Sequence, residues 1–221
     1  MRYEDRADAG RRIAPGVAAV VAERHERRGV PLILGVPRGG VVVADPIARA
    51  LSGELDLALA RKIGAPNNPE LAIGAIGETG EPVLDNQLIA RLGISADYLE
   101  SAITQERVEL QRRAAKYRGD TVPVSAAGRV VVVVDDGIAT GATLQATLNA
   151  IRRQDPAVLI CAVPVGAPEA VERIASDVDE LVCPLRPRWF RAVGEWYDSF
   201  GQTSDAEVVA ILESIRSEGS A

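Results

Sequence analysis

The sequence predicts an α/β protein: a parallel sheet flanked by helices, carrying a β-hairpin/helical insertion and a small C-terminal extension. Three observations lead there. Residues 129–134 (Arg-Val-Val-Val-Val-Val) are continuously apolar rather than alternating, as a central strand covered on both faces would be. Strand-like runs alternate with helical stretches over most of the chain, the pattern of parallel sheets with crossover helices. The apolar content, 47% of 221 residues, is overwhelmingly Val, Ala, Leu and Ile, with only 4% aromatic.

Taken in order, residues 8–28 read as a helix in which Pro15 should break or offset the first turns. Residues 31–36 (Pro-Leu-Ile-Leu-Gly-Val) are a short strand ending at Pro37-Arg38-Gly39-Gly40, and a helix follows to about Leu51. Residues 54–60 alternate like a strand. Residues 61–70 hold Gly, Pro and Asn without an apolar period, which predicts a mobile loop. Residues 71–84 read as two strands around a Thr79-Gly80 turn, and Ser95 to about Arg118 as a helix. After the strand at 129–134 come a helix from about Gly141 to Arg153, a strand at 157–165, a helix opened by Pro168 and a strand at 179–185. Ser204-Asp205-Ala206-Glu207 is a capping box that starts a terminal helix over about 204–218. One domain of 1–221 accommodates all of this, with its core at about 29–183.

Bulk features exclude several classes of function. Acidic residues number 31 and basic 25, for a net charge of −6, which argues against a nucleic-acid coat and a polybasic membrane anchor. No apolar run has the length of a membrane span and the N-terminus lacks a signal-peptide core, so the expected location is cytoplasmic. Cys161 and Cys183 lie far apart among apolar residues and read as buried reduced thiols. With one histidine, His25 on a charged helix end, no protein metal cage is expected.

The segment from Val131 to Leu144 carries the chemistry. It is a buried strand, two carboxylates (Asp135 and Asp136) at its end, then a loop of Gly137, Ile138, Ala139, Thr140, Gly141, Ala142 and Thr143 opening a helix. Small residues let backbone N–H groups converge on a phosphate, threonine hydroxyls donate, and the helix N-terminus adds positive potential. Paired carboxylates accept hydrogen bonds from vicinal hydroxyls. A phosphate cradle beside a diol clamp describes a site for ribose 5-phosphate. A P-loop would need Gly-x-x-x-x-Gly-Lys-Ser/Thr, which is absent, and an acidic Walker-B strand would lack its partner. A receiver domain would leave the Thr-Gly-x-Thr unexplained, and a plain turn of solvated aspartates would not need two Thr and two Gly at these spacings.

At these residues the sequence resembles the type I phosphoribosyltransferases, whose hallmark is an apolar strand, two acidic residues and a Thr-Gly-x-Thr loop, matched from Val131 to Thr143. Gly35 to Gly40 is similar to the family's pyrophosphate loop, and Arg61 to Glu70 to its flexible lid. With Asp5-Arg6-Ala7-Asp8-Ala9-Gly10 and the stretch from Ala192 to Phe200, the resemblance covers nearly the whole chain and points to a bacterial phosphoribosyltransferase-like subgroup of unassigned acceptor. It implies a type I phosphoribosyltransferase-like core and a small C-terminal hood at about 184–202. It also implies Mg2+-dependent transfer of phosphoribosyl from 5-phosphoribosyl 1-pyrophosphate to a small nitrogenous acceptor, in a homo-oligomer, a dimer. Asp135 and Asp136 would then hold the ribose hydroxyls, Gly137–Thr143 the 5-phosphate, and Arg38, Gly39 and Gly40 the pyrophosphate. Arg61 and Lys62 would neutralise the leaving group, and magnesium would sit mainly on substrate oxygens.

Other readings stay open beside these. The Gly-Gly turn also serves as simple punctuation, and Arg61 and Lys62 as a solvated loop start. Trp189, Phe190, Trp196 and Tyr197 suit an acceptor-binding hood, local packing or a subunit contact equally. Transferases for 6-oxopurines carry an aspartate where this chain has Ala139, which weakens those acceptors. Glu70 and Glu195 are candidate bases, each also readable as a surface carboxylate. A non-catalytic sensor on the same fold is the alternative function.

Overall fold

The computed structural model describes residues 2–24, 29–78, 81–119 and 121–218, so His25 and the Thr79-Gly80 turn lie outside the described residues. The elements are α1 (Arg6–Arg24), β1 (Leu32–Gly35), α2 (Gly39–Leu51), β2 (Glu54–Leu57), β3 (Ala60–Ala65), β4 (Asn68–Gly77) and β5 (Pro82–Leu84). They continue with α3 (Asn86–Leu92), α4 (Ala96–Arg118), β6 (Val130–Val134), α5 (Ala142–Arg152), β7 (Val158–Ala162), α6 (Pro168–Ala175), β8 (Glu180–Val182) and α7 (Asp205–Glu218). A 3-10 turn at Val193–Trp196 is the regular structure within the C-terminal extension.

Five strands form a parallel sheet in the order β2-β1-β6-β7-β8. The predicted central strand is central. All five valines of β6 are fully buried, and successive residues point to opposite faces. Val130, Val132 and Val134 join Ile13, Val17, Val41, Ile47, Val208 and Leu212, so α1, α2 and α7 cover one face. Val131 and Val133 join Leu144, Leu148, Val171 and Ile174, so α5 and α6 cover the other. Each such side chain removed from water contributes about 1.5–3 kcal/mol before entropic costs.

β3, β4 and β5 form a separate antiparallel sheet against α5. Ile63, Ala65, Ile73 and Ile76 make its core, with Leu88, Tyr98, Leu99 and Ile103 from α3 and α4 packed on it. Residues 61–70 are therefore not the irregular loop the composition suggested. They are most of β3 and the start of β4, reversing at Pro66-Asn67, with Asn67 at φ 61°. Ile63 and Ala65 are buried and Gly64 between them sits at a register shift, which obscures the alternation in sequence. Pro15 likewise lies inside a continuous α1 rather than breaking it. It occupies the exposed face of the helix, where water can take the carbonyl it leaves without a donor. α3 had no counterpart in the sequence reading, although Asp85 accepts from the Leu88 N–H at 2.9 Å and Gly93 closes the helix in the left-handed region. Ser204 caps α7 as the capping box predicted, and Ser95, where the helical pattern was read to begin, caps α4. Cys161 and Cys183 are free and buried, and burial pushes the Cys183 thiol up to about 11.

A buried ion triad joins the insertion to the main sheet. Arg118, at the end of α4 and 2% exposed at its side chain, donates to Asp56 Oδ1 of β2 at 2.7 Å, to the Leu57 carbonyl at 3.0 Å and to Glu78 just after β4. Asp56 also accepts from the Val124 N–H at 3.0 Å. Burial pushes Glu78 above the usual carboxylate range despite the arginine. Arg118→Met should therefore cost about 3–5 kcal/mol in urea unfolding at neutral pH, because two carboxylates are left without their cation. The deficit should shrink in acid as Glu78 takes a proton, and a loss below about 1 kcal/mol at pH 7 would mean that the site relaxes to admit water.

Candidate active site

β1 and β6 are hydrogen-bonded neighbours with Gly35 paired to Val134, so the chain leaves both strands at the same edge of the sheet. The Val36 N–H still donates to the Val134 carbonyl at 2.8 Å beyond the strands. That edge is the carboxyl end, where open α/β sheets bind ligands. One exit is Pro37-Arg38-Gly39-Gly40, with a cis peptide between Pro37 and Arg38 and α2 starting at Gly39. The other is Asp135 to Gly141, with α5 starting at Ala142. Two helix N-termini, each with first-turn amides lacking a helical partner, thus open side by side.

The two exits touch. A Cβ on Gly39 would come 2.0 Å from Asp136 Oδ2, and one on Gly40 would come 2.5 Å from the Val134 carbonyl oxygen and 2.9 Å from Asp135 Cα. A side chain at Gly40 would strike backbone, and one at Gly39 would displace the Asp136 carboxylate and Arg6, so the Gly-Gly pair is more than turn punctuation. It lets the first loop lie directly on the carboxylates of the second.

Asp135 Oδ1 accepts from the Asp136 N–H at 2.8 Å. Burial, then the neighbouring Asp136 carboxylate, push Asp135 well above its usual range. Asp136 is raised as well, by burial, although Arg6 works in the opposite direction. Such a pair gains from a ligand that donates hydrogen bonds to it. Beyond the carboxylates, Gly137 lies against Val193 and Ile138 is buried, its N–H donating to Val165 and its carbonyl accepting from Ala167. Ala139, Thr140 and Thr143 are exposed, and Gly141 caps α5 at φ 72°. Arg173 of α6 donates to the Thr140 carbonyl at 2.6 Å, which braces the loop from behind.

Arg38 lies 3.8 Å from Asp205 at the start of α7, and Asp205 also accepts from Lys116 and Tyr117 of α4. The expected cations of the lid divide between two faces. Arg61 donates to Glu106 of α4 at 2.6 Å, and Lys62, the next residue of β3, projects from the opposite face.

The aromatic residues separate too. Tyr197 is buried, with its ring centroid 5.6 Å from that of Tyr3 and 5.0 Å from that of Phe200. Its hydroxyl donates to the Asp136 carbonyl at 2.6 Å. Phe190, Val193 and Trp196 pack on this cluster. Tyr197 therefore fills space and holds the site loop rather than presenting a face to a base. Trp189 is 84% exposed, and the Trp196 Nε1 is buried with no partner among the described residues. Glu195 is exposed, and Glu70 falls in β4.

One site residue escaped the sequence reading. Arg6, in the first turn of α1, donates through Nε to Asp136 Oδ2 at 2.7 Å, with side chains 12% and 18% exposed. A basic residue 130 positions upstream, in a stretch crowded with arginines, gives no local signal of that pairing. Among the described residues no three His, Cys, Asp or Glu side chains gather to hold a metal ion, and no helix is long and apolar enough to cross a membrane.

The chain is 44% identical to TT1426 from Thermus thermophilus, whose crystal structure superposes with a TM-score of 0.87 over 96% of this chain and 98% of that one. It is 41% identical over 211 residues to proteins of Mycobacterium tuberculosis strains CDC 1551 / Oshkosh and ATCC 25618 / H37Rv, each named "Putative phosphoribosyl transferase". Those alignments take in 96% of this chain but 46% of the mycobacterial proteins, so the chain spans about half their length. The phosphoribosyl transferase domain profile matches residues 5–198, from the turn before Arg6 through both strand exits to Asp198 beside Tyr197. The chain therefore belongs to the phosphoribosyl transferase domain family.

Proposed function

We propose that this chain transfers the phosphoribosyl group of 5-phosphoribosyl 1-pyrophosphate to a small nitrogenous acceptor, with release of pyrophosphate. The observation that supports the reading is the contact between the exits of β1 and β6, which brings Gly39 and Gly40 of one loop against Asp135 and Asp136 of the other. Asp135 and Asp136 would accept from the 2- and 3-hydroxyls. The amides of residues 137–143 with the hydroxyls of Thr140 and Thr143 would hold the 5-phosphate at the N-terminus of α5. Arg38 and the amides of Gly39 and Gly40 would meet the pyrophosphate at the N-terminus of α2, and Asp205 would release Arg38 as the anion arrives.

The residues present suit magnesium brought in on the pyrophosphate. Two adjacent carboxylates, one already paired with Arg6, offer too few protein oxygens for a cage, and magnesium readily keeps substrate and water ligands. When bound, it supplies neutralisation of charge on the leaving group. The chain's own contribution is orientation: fixing the ribose by three groups leaves the anomeric carbon open to in-line attack while the carbon–oxygen bond to pyrophosphate breaks. Positive potential from two helix ends and Arg38 stabilises the departing anion. Lys62 would add to it from the face of β3 opposite the Arg61–Glu106 pair.

Calorimetry with 5-phosphoribosyl 1-pyrophosphate and Mg2+ tests the site. Asp135→Asn combined with Asp136→Asn should weaken binding by about 100-fold or more while circular dichroism stays unchanged. Unaltered affinity would remove the diol clamp from these residues. A screen for pyrophosphate release over purines, pyrimidines and other nitrogen heterocycles tests turnover, and binding without release from any of them would favour a sensor.

The raised Asp135 gives a second expectation, for stability. A carboxyl whose pKa is higher folded than unfolded destabilises the fold as pH rises through that interval, because folding must oppose its ionisation. Asp135→Asn should therefore be more stable than the parent by about 1 kcal/mol or more at pH 8. The difference should vanish below about pH 4, where aspartate is protonated in both states. A variant less stable at pH 8 would show that Asp135 is stabilised as an ion.

A further inference from the structure

We propose that Arg6 is a positioning residue for the ribose site: it holds Asp136 as a fixed carboxylate and ties it to the C-terminal hood. The inference rests on the function proposed above and adds a residue to it. Four contacts define the position of Arg6. Its Nε donates to Asp136 Oδ2 at 2.7 Å, its Nη1 donates to the Gly201 carbonyl at 2.7 Å, and its guanidinium lies 3.8 Å from the centroid of the Phe200 ring. The fourth is steric: a Cβ on Gly39 would come within 2.7 Å of Arg6 Nε, so the loop ending in Gly39 closes over the ion pair.

The guanidinium is planar, and here two of its edges and one face are each set by a different group. One edge reads a carboxylate, another a backbone carbonyl, and its face rests on an aromatic ring. Asp136 is held on its other side by Tyr197, whose hydroxyl donates to the Asp136 carbonyl. An ionised carboxylate has about four lone-pair sites, so it can keep Arg6 and still accept from a sugar hydroxyl.

Phe200 and Gly201 end the hood segment, which makes Arg6 a link between two parts of the site. The N-terminal segment is stitched to the hood by backbone bonds: Tyr3 N–H to the Trp196 carbonyl at 2.9 Å, Asp198 N–H to the Tyr3 carbonyl at 2.8 Å and Ser199 N–H to the Glu4 carbonyl at 2.8 Å. Arg6 follows directly on that seam. A change in the hood that moves Phe200 and Gly201 is therefore felt at Asp136 through one side chain.

Three kinds of group face Asp136. Asp135 opposes its charge, Arg6 supports it, and Tyr197, whose hydroxyl is pushed up by burial, stays neutral beside it; the loop across from it approaches through Gly39, while Arg38 of that loop pairs with Asp205. Removing Arg6 takes away the cation of this group, and Asp136 should then hold its proton to higher pH. A mere tether of α1 would not have that effect.

The test uses the full chain with Arg6→Gln, Arg6→Lys and Phe200→Ala. In a carbon-13 NMR titration of side-chain carboxyls, with Asp136 assigned through Asp136→Asn, the glutamine variant should raise the Asp136 midpoint by about one pH unit or more. The lysine variant should stay near the parent. In calorimetry with Mg2+ and 5-phosphoribosyl 1-pyrophosphate, Arg6→Gln should bind about tenfold more weakly at a pH below its own Asp136 midpoint, with the gap closing as pH rises through that midpoint and Asp136 ionises. If Arg6→Gln does not fold, Phe200→Ala, which removes the ring beneath the guanidinium and beside Tyr197 but leaves the Arg6–Asp136 hydrogen bond, should move the midpoint the same way by less. An unmoved midpoint, or a loss of affinity equal at every pH and shared by Arg6→Lys, would overturn the inference. Should the parent chain bind no 5-phosphoribosyl 1-pyrophosphate, the functional proposal fails, while the NMR midpoint still decides for or against the role of Arg6.

Discussion

The site depends on a strand that cannot move. β6 is buried on both faces, and sliding it by one residue would exchange the valines between two differently shaped cores. Its register with β1 and β7 is therefore tightly specified, and so is the point at which the chain emerges. Asp135 and Asp136 occupy that point. A pair of carboxylates is costly at the end of an apolar strand, and both aspartates are pushed up in pKa as a result. The fold keeps them beside two helix N-termini and one arginine, where under the proposed function a polyhydroxylated, anionic ligand would find both acceptors and positive potential.

Around that point the molecule gathers its remote parts. Arg6 comes from the first helix, Tyr197 from the C-terminal extension, Gly39 from the exit of the neighbouring strand, and Arg173 from the helix that follows β7. The first three meet Asp136 itself, and Arg173 braces the loop beyond it. The aromatic cluster owes its position to the same convergence. Tyr3, Tyr197 and Phe200 fill the space between the N-terminal segment and the loop after β6, and Arg6 lies across the Phe200 ring. Under the proposed function, selectivity for an acceptor falls to the residues of the hood that this packing leaves outward, Trp189 among them.

A second buried ionic centre performs a different task. Arg118, Asp56 and Glu78 join the main sheet to the insertion that carries β3, β4 and α4. A buried pair of this kind is rarely a net source of stability, but it is demanding in geometry. It fixes where β3 starts, a few residues beyond β2, and hence where Arg61 and Lys62 stand relative to the carboxyl edge. Asp205 adds a looser link, from α7 to both α4 and Arg38.

The sequence alone determined whatever is encoded by neighbours along the chain. A run of five valines announced the central strand, the carboxylates and small residues after it announced the loop that opens α5, and Ser95 and Ser204 announced two helix starts. These are local signals, set by burial, backbone freedom and hydrogen bonding within a few residues. Other features depended on partners far away. The register shift at Gly64 hid a hairpin whose apolar face is covered by α4, and Pro15 was tolerated because its face of α1 is turned to water. Arg6 became part of the site only when 130 residues of intervening chain had folded to bring it 2.7 Å from Asp136. Tyr197 changed from a candidate stacking surface to a packed support for the same reason. Tertiary structure decided these because the energy of an ion pair or a buried ring depends on which groups meet, and sequence spacing does not fix that for residues joined by a whole domain.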